Sequence, residues 1–283
     1  MMNIKNMILI GSGCLFLYSC NSNEETAATD ELKTPKIEVE TDDVYNSEEY
    51  EFILPRPYTL VTSFDKVGMN FEASRMNDPA NVDQYSTDGM QLMNMGVFGS
   101  DLVYAITNNQ PQHSIMYFNA IKKLGDKIGM GRIFNEEELA TRIEKNIADE
   151  EKMKDLLIDL DEKSQEYLEN NQMRMLAAIQ FSGAWIEGMY LATFDIEEKD
   201  QSKLSHHLVD HMSLLKNAIT GIEAYEQRSD QLSDILADLE ALQTQFNNFE
   251  SLKNTEGFPE LTREEIETLA TDIHKVRNKI TSK

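Results

Sequence analysis

The stretch from Met173 to Phe194 limits what this chain can fold into more than any other part of it. Its apolar residues, Met175, Leu176, Ile179, Phe181, Trp185, Ile186, Met189, Tyr190 and Leu191, point to every side of a helical wheel. A helix that is apolar all round is buried on all sides. Arg174, Gln180 and Glu187 interrupt the run and make it a poor bilayer span. The rest of the chain must therefore cover a central buried helix, expected over about 173–194.

The covering elements also read as helices. Val61, Phe64, Val67 and Phe71 recur at spacings of three and four, which predicts a helix over 58–75 ended by Asn77-Asp78-Pro79. Thr87 or Asp88 caps the next, whose Leu92, Met95, Val97, Phe98, Leu102, Val103, Tyr104 and Ile106 are apolar on most sides. Gly96 and Gly99 each cost it about 1 kcal/mol relative to alanine, a cost repaid if another helix approaches closely there. Pro111 opens a third helix, which stops at Gly129-Met130-Gly131. Asn135 with Glu138 caps one long amphipathic helix to Asn170, with Leu139, Ile143, Ile147, Met153, Leu157, Leu160 and Tyr167 as its stripe.

Three heptad-like seams close the chain. They are Leu204, Leu208, His211, Leu215, Ala218, Ile222 and Tyr225; Leu232, Ile235, Leu239, Leu242, Phe246 and Phe249; and, after a Thr262–Glu265 capping box, Ile266, Leu269, Ile273, Val276 and Ile280. No strand alternation or hairpin signal follows Pro57. The fold expected is all-α, an antiparallel multi-helix bundle over 56–283.

The N-terminus has a different character. Lys5 precedes an apolar run from Met7 to Leu17, the length of a signal-peptide core and too short to span a bilayer. The run ends in Leu17-Tyr18-Ser19-Cys20, which resembles the bacterial lipobox. That resemblance implies that 1–19 is a lipoprotein signal peptide and that Cys20 is lipidated and anchors the protein to a membrane of the cell envelope. The only other cysteine, Cys14, would leave with the signal, so a disulfide is a poor use of Cys20.

Residues 20–55 carry many acidic groups against Lys33 and Lys36 alone and read as an acidic flexible tether. A flexible chain of that length reaches about 30 Å, and self-repulsion extends it. Tyr45, Tyr50 and Phe52 are expected to dock its end. Asn21-Ser22-Asn23-Glu24-Glu25 resembles the tract that marks lipoproteins for export to the surface of the outer membrane. The formal charge of -24 repels nucleic acid, which is excluded as a partner.

Candidate chemistry is sparse. Gln180, Gly183 and Glu187 share one face of the central helix, beside Trp185. Glu187 must be paired, hydrogen-bonded or protonated there, and Asp101 poses the same problem in its own apolar helix. Arg174 is the partner offered nearby. Two readings stand: a structural ion pair that sets helix register, or a ligand site formed by Gln180, Trp185 and Glu187 in a cavity between helices. His207 and His211 lie one turn apart, at a spacing that fits two metal ligands or a seam histidine with a solvated neighbour. A metal needs further ligands from another helix, with His113 as one option. No nucleophile elbow, phosphate-binding glycine loop, His-Glu-x-x-His or haem-attachment pattern is present, so no enzyme activity and no cofactor is expected.

Residues 185–193, Trp-Ile-Glu-Gly-Met-Tyr-Leu-Ala-Thr, with 99–105, Gly-Ser-Asp-Leu-Val-Tyr-Ala, resemble a helical lipoprotein family of outer-membrane bacteria that has no assigned activity. The resemblance implies fold and location and carries over no catalytic residue. Two functions follow for a membrane-anchored envelope lipoprotein. The first, preferred on the abundance of seams, is a structural or protein-interaction role with an envelope partner. The alternative is binding of a small ligand in a cavity beside the central helix.

Overall fold

The computed structural model describes residues 44–46, 53–55, 59, 62–63, 68–134, 137–146, 149–170, 174–253 and 257–282. All of them fall within one compact unit, Thr34–Lys283. Cys20, the segment before it and the acidic run after it lie outside the described residues, as do Val61, Phe64 and Val67.

The body is all-α. Its helices are α1 (Asp88–Thr107), α2 (Pro111–Lys127), the one-turn α3 (Gly131–Phe134), α4 (Glu137–Asn146), α5 (Glu150–Asn170), α6 (Arg174–Ala192), α7 (Gln201–Met212), α8 (Leu215–Glu223), α9 (Asp230–Asn247) and α10 (Arg263–Thr281). Helices α1 and α6 form the centre; α2 lies against α1, α8 and α10 lie against α6, and α9 packs on α8 and α10. Every residue of α6 from Ala177 on is buried except Gln180, as an all-round apolar helix requires. No described helix is long and apolar enough to cross a membrane.

The central crossing is made backbone to backbone. A Cβ on Gly96 would stand 1.9 Å from the Gln180 carbonyl oxygen, and one on Gly183 would stand 1.8 Å from that of Met93. Only glycine permits this approach, and Ser100 Oγ then donates to the Ala184 carbonyl at 2.8 Å. Gly99, also expected to serve the approach, does not: its Cβ would meet nothing within 4 Å. Gly96 meets Gln180 and Ala184, and further along both helices Asp101 lies beside Glu187, so α1 and α6 run parallel. Helix α10 runs opposite to both, placing Ile280 at Asn94 and His274 at Thr193. Antiparallel packing thus holds around the centre but not within it.

Several boundaries differ from expectation. The helix expected over 58–75 does not continue past Gly68, whose φ of +77 lies in the left-handed region. Residues 68–72 are non-helical, and Tyr104 Oη ties them down, accepting from the Glu72 amide at 3.0 Å and donating to the Asn70 carbonyl. A short 3-10 turn, Ala73–Arg75, follows, and Asp78 caps another, Pro79–Asp83. The long helix expected from Asn135 to Asn170 is two, α4 and α5; Asp149 accepts from the Lys152 amide and starts the second. The seam from Leu204 to Tyr225 is likewise divided at Ser213-Leu214 between α7 and α8. Periodicity carries through such breaks because a kink need not change which face is buried.

The tether also ends in structure. Val44–Asn46 (β1) pairs antiparallel with Ile53–Pro55 (β2), Tyr45 opposite Leu54, and β2 lies beside α8. Val, Tyr and Ile favour such pairing even in an acidic run.

Candidate functional site

The sequence singled out Gln180, Trp185 and Glu187 as one site, and the structure places them in three different surroundings. Glu187 is 0% exposed and Arg277, from α10, grips it with two hydrogen bonds, Nε to Oε2 at 2.8 Å and Nη2 to Oε1 at 3.0 Å. Arg277 therefore stands where Arg174 was expected; the Arg174 side chain lies outside those described. Arg277 also reaches the Arg75 carbonyl and stacks its guanidinium 4.3 Å from the centre of the Tyr190 ring. Burial pushes its pKa down, and pairing with Glu187 more than offsets this, so Arg277 stays charged.

Asp101 completes the buried centre. Its Oδ2 accepts the Asn77 amide at 3.1 Å, and Asn77 in turn donates to the Tyr85 hydroxyl at 2.9 Å. Asp101 Oδ1 finds no donor among the described residues, and the carboxyl lies within hydrogen-bonding reach of that of Glu187. Two carboxylates thus face one guanidinium. Burial, with the Glu187 charge beside it, pushes Asp101 well above the usual carboxylate range. Because Arg277 already bonds both Glu187 oxygens, the proton belongs on Asp101, and the trio is neutral as a whole. Glu187 and Arg277 form a structural ion pair closed to solvent, with a protonated Asp101 beside it.

Trp185 is 1% exposed and its indole N–H donates to the His211 carbonyl at 3.0 Å. His211 is itself buried, as a seam position requires, and its Nε2 lies 2.6 Å from the Ser63 hydroxyl. Burial, with His207 nearby adding to it, pushes His211 down to about 3, so the ring is neutral at physiological pH. His113 packs on Phe71. Among the described residues no group of three or more His, Cys, Asp or Glu is placed to hold a metal. A serine beside a histidine also suggests a nucleophile and its base, yet a base held near 3 takes up a proton poorly at neutral pH.

Gln180 is the member that faces open space. It lines a cavity of about 80 Å³ beside α6, walled by Met95, Leu102 and Val103 of α1, Phe118 and Ile121 of α2, Phe134 of α3, and Leu157 and Leu160 of α5. Asp161, Ser164 and Gln180 supply its polar atoms. Gly99 forms part of its wall, and the space its missing side chain leaves is part of the cavity. Ser164 Oγ donates to the Leu160 carbonyl at 2.8 Å, whereas the Gln180 amide bonds no described residue.

Two residues that matter here were not read from the sequence for what they do. Arg277 lies four positions after Ile273 and three before Ile280, so the seam periodicity itself puts it on the buried face of α10. Gly99 carried no signal that separates it from Gly96, since the two glycines differ only in which neighbour they meet. No protein-family model matches the chain, and neither a curated protein nor a solved structure matches it significantly.

Proposed function

We propose that this chain is a lipid-anchored cell-envelope lipoprotein whose helical body holds a small, mostly apolar ligand in the cavity beside α6. The observation that carries the reading is the cavity itself: apolar walls from four helices, a gap at Gly99, and an unbonded amide at Gln180. Pockets that bind small molecules are mostly apolar with a few placed polar groups. A docking role for the seams has less support, because Leu208, Leu215, Ile222, Leu239, Ile273 and their neighbours are buried in the core. Among the described residues Met116 is the only large hydrophobic one that is exposed. The anchor rests on the lipobox-like sequence at Cys20.

Native mass spectrometry on the full-length protein, extracted gently from its own membranes, tests the ligand. The expected spectrum carries an added small organic mass that Gly99→Val loses; a bare protein mass overturns the reading. The anchor is tested by labelling cells with an alkyne palmitate. Label is expected on the wild type and absent from Cys20→Ala, and label retained by Cys20→Ala refutes the assignment.

A further inference from the structure

The ligand-holding reading above leaves the chemistry of the ligand open, and three features of the cavity narrow it. The first is size. An apolar cavity of about 150 Å³ takes benzene, and a water occupies about 30 Å³. The 80 Å³ here is roughly half the former and holds a run of only a few carbons, so a slim chain end fits where a ring does not.

The second feature is charge. No lysine or arginine lines the cavity, and Asp161 is in its wall. A carboxylate or phosphate inside would therefore be desolvated with no counter-ion and with a carboxylate beside it, which opposes binding strongly. An ammonium group fares little better, because Asp161 already has a partner.

The third is the amide of Gln180. It is half-buried, bonds no described residue, and offers both a donor and an acceptor to whatever enters. An uncharged hydroxyl or amide satisfies it without any ionic cost.

We infer that the ligand is the end of an unbranched alkyl chain bearing an uncharged hydrogen-bonding head, an alcohol or a primary amide, with the head on Gln180 and the carbons in the gap at Gly99. This rests on the ligand-holding reading, and the two fail in different ways. The full chain carrying Cys20→Ala, so that no acyl group of its own competes, is titrated with propanol, propanamide, propanoate, propylamine and benzyl alcohol. Amide NMR signals of Gly96, Gly99 and Gln180 report binding.

Propanol and propanamide are expected to shift these signals and to bind at least about tenfold tighter than propanoate and propylamine, given the cost of burying an unpaired charge, and tighter than benzyl alcohol, whose ring exceeds the cavity. Gln180→Leu should remove the preference for propanol over plain propane, and Gly99→Val should abolish binding of both. Propanoate, propylamine or benzyl alcohol binding as well as propanol overturns the inference about class while leaving a ligand-holding cavity. A preference for propanol that survives Gln180→Leu overturns the role of Gln180. No shift at Gly99 from any probe overturns the ligand-holding reading and the inference with it.

Discussion

Replacing Asp101 by asparagine keeps the shape of the side chain and removes its dependence on a proton. In the folded protein Asp101 is fully buried, faces Glu187, and is held protonated well above the usual range. In the unfolded chain it ionises with a pKa near 3.9. Between that value and its folded pKa the native state binds one proton more than the unfolded state, so stability falls as pH rises, by about 1.4 kcal/mol per pH unit. The asparagine pays none of this. Its carbonyl can accept the Asn77 amide as Oδ2 does now, and its amide can donate to Glu187 in place of the acid proton.

Asp101→Asn is therefore expected to match the wild type near pH 4 and to become progressively more stable above it, the gap widening by about 1.4 kcal/mol per unit until the folded pKa is passed. His211 works in the opposite direction. Its folded pKa is lowered to about 3, so the unfolded chain binds the extra proton below about 6.5 and stability falls as pH drops. Being common to both proteins, it cancels in the difference. Urea unfolding at half-unit steps from pH 4.5 to 8, with unchanged dependence on denaturant, gives that difference directly. A gap that does not change with pH, or a mutant less stable at pH 7, refutes the protonated state of Asp101.

Arg277→Leu leaves the Glu187 charge buried and unpaired and should cost about 3–5 kcal/mol in urea unfolding; a loss under about 1 kcal/mol contradicts the buried pairing. Glu187→Gln should lower the melting temperature yet leave propanol binding unchanged, since Glu187 does not line the cavity. Gly183→Ala drives a Cβ against the Met93 carbonyl and should cost about 1–3 kcal/mol or more, whereas Gly99→Ala enters open space and should gain about 1 kcal/mol from helix propensity. Equal effects of the two in thermal unfolding would show that the glycines are interchangeable. Thr262→Ala removes the capping box with Glu265 and should cost about 1 kcal/mol, with faster amide exchange in the first turn of α10.

Much of this body is legible in its sequence. The all-round apolar run at 173–194 predicts α6 and its burial, Thr87 or Asp88 and the Thr262 capping box mark two helix starts, of which the first cap is Thr87, and the seams name the core faces of α7 to α10. These features are local or periodic, and both kinds of signal are carried by a single strand of sequence. The ends of elements were less legible. Gly68 and the Ser213-Leu214 break interrupt patterns whose apolar spacing continues undisturbed, because spacing reports which face is buried and not whether the backbone is continuous.

The site was decided by the tertiary structure. That Glu187 needed a partner followed from burial alone; that the partner is Arg277, ninety residues away, depended on α10 running opposite to α6 at that level. Gly96 and Gly99 are three residues apart in one helix, yet one meets a backbone at 1.9 Å and the other borders empty space. Trp185 and Glu187 went into the core, and Gln180 alone reached the cavity. Sequence determines what each residue can tolerate as a neighbour. Which neighbour it receives is set only when helices distant along the chain are brought together.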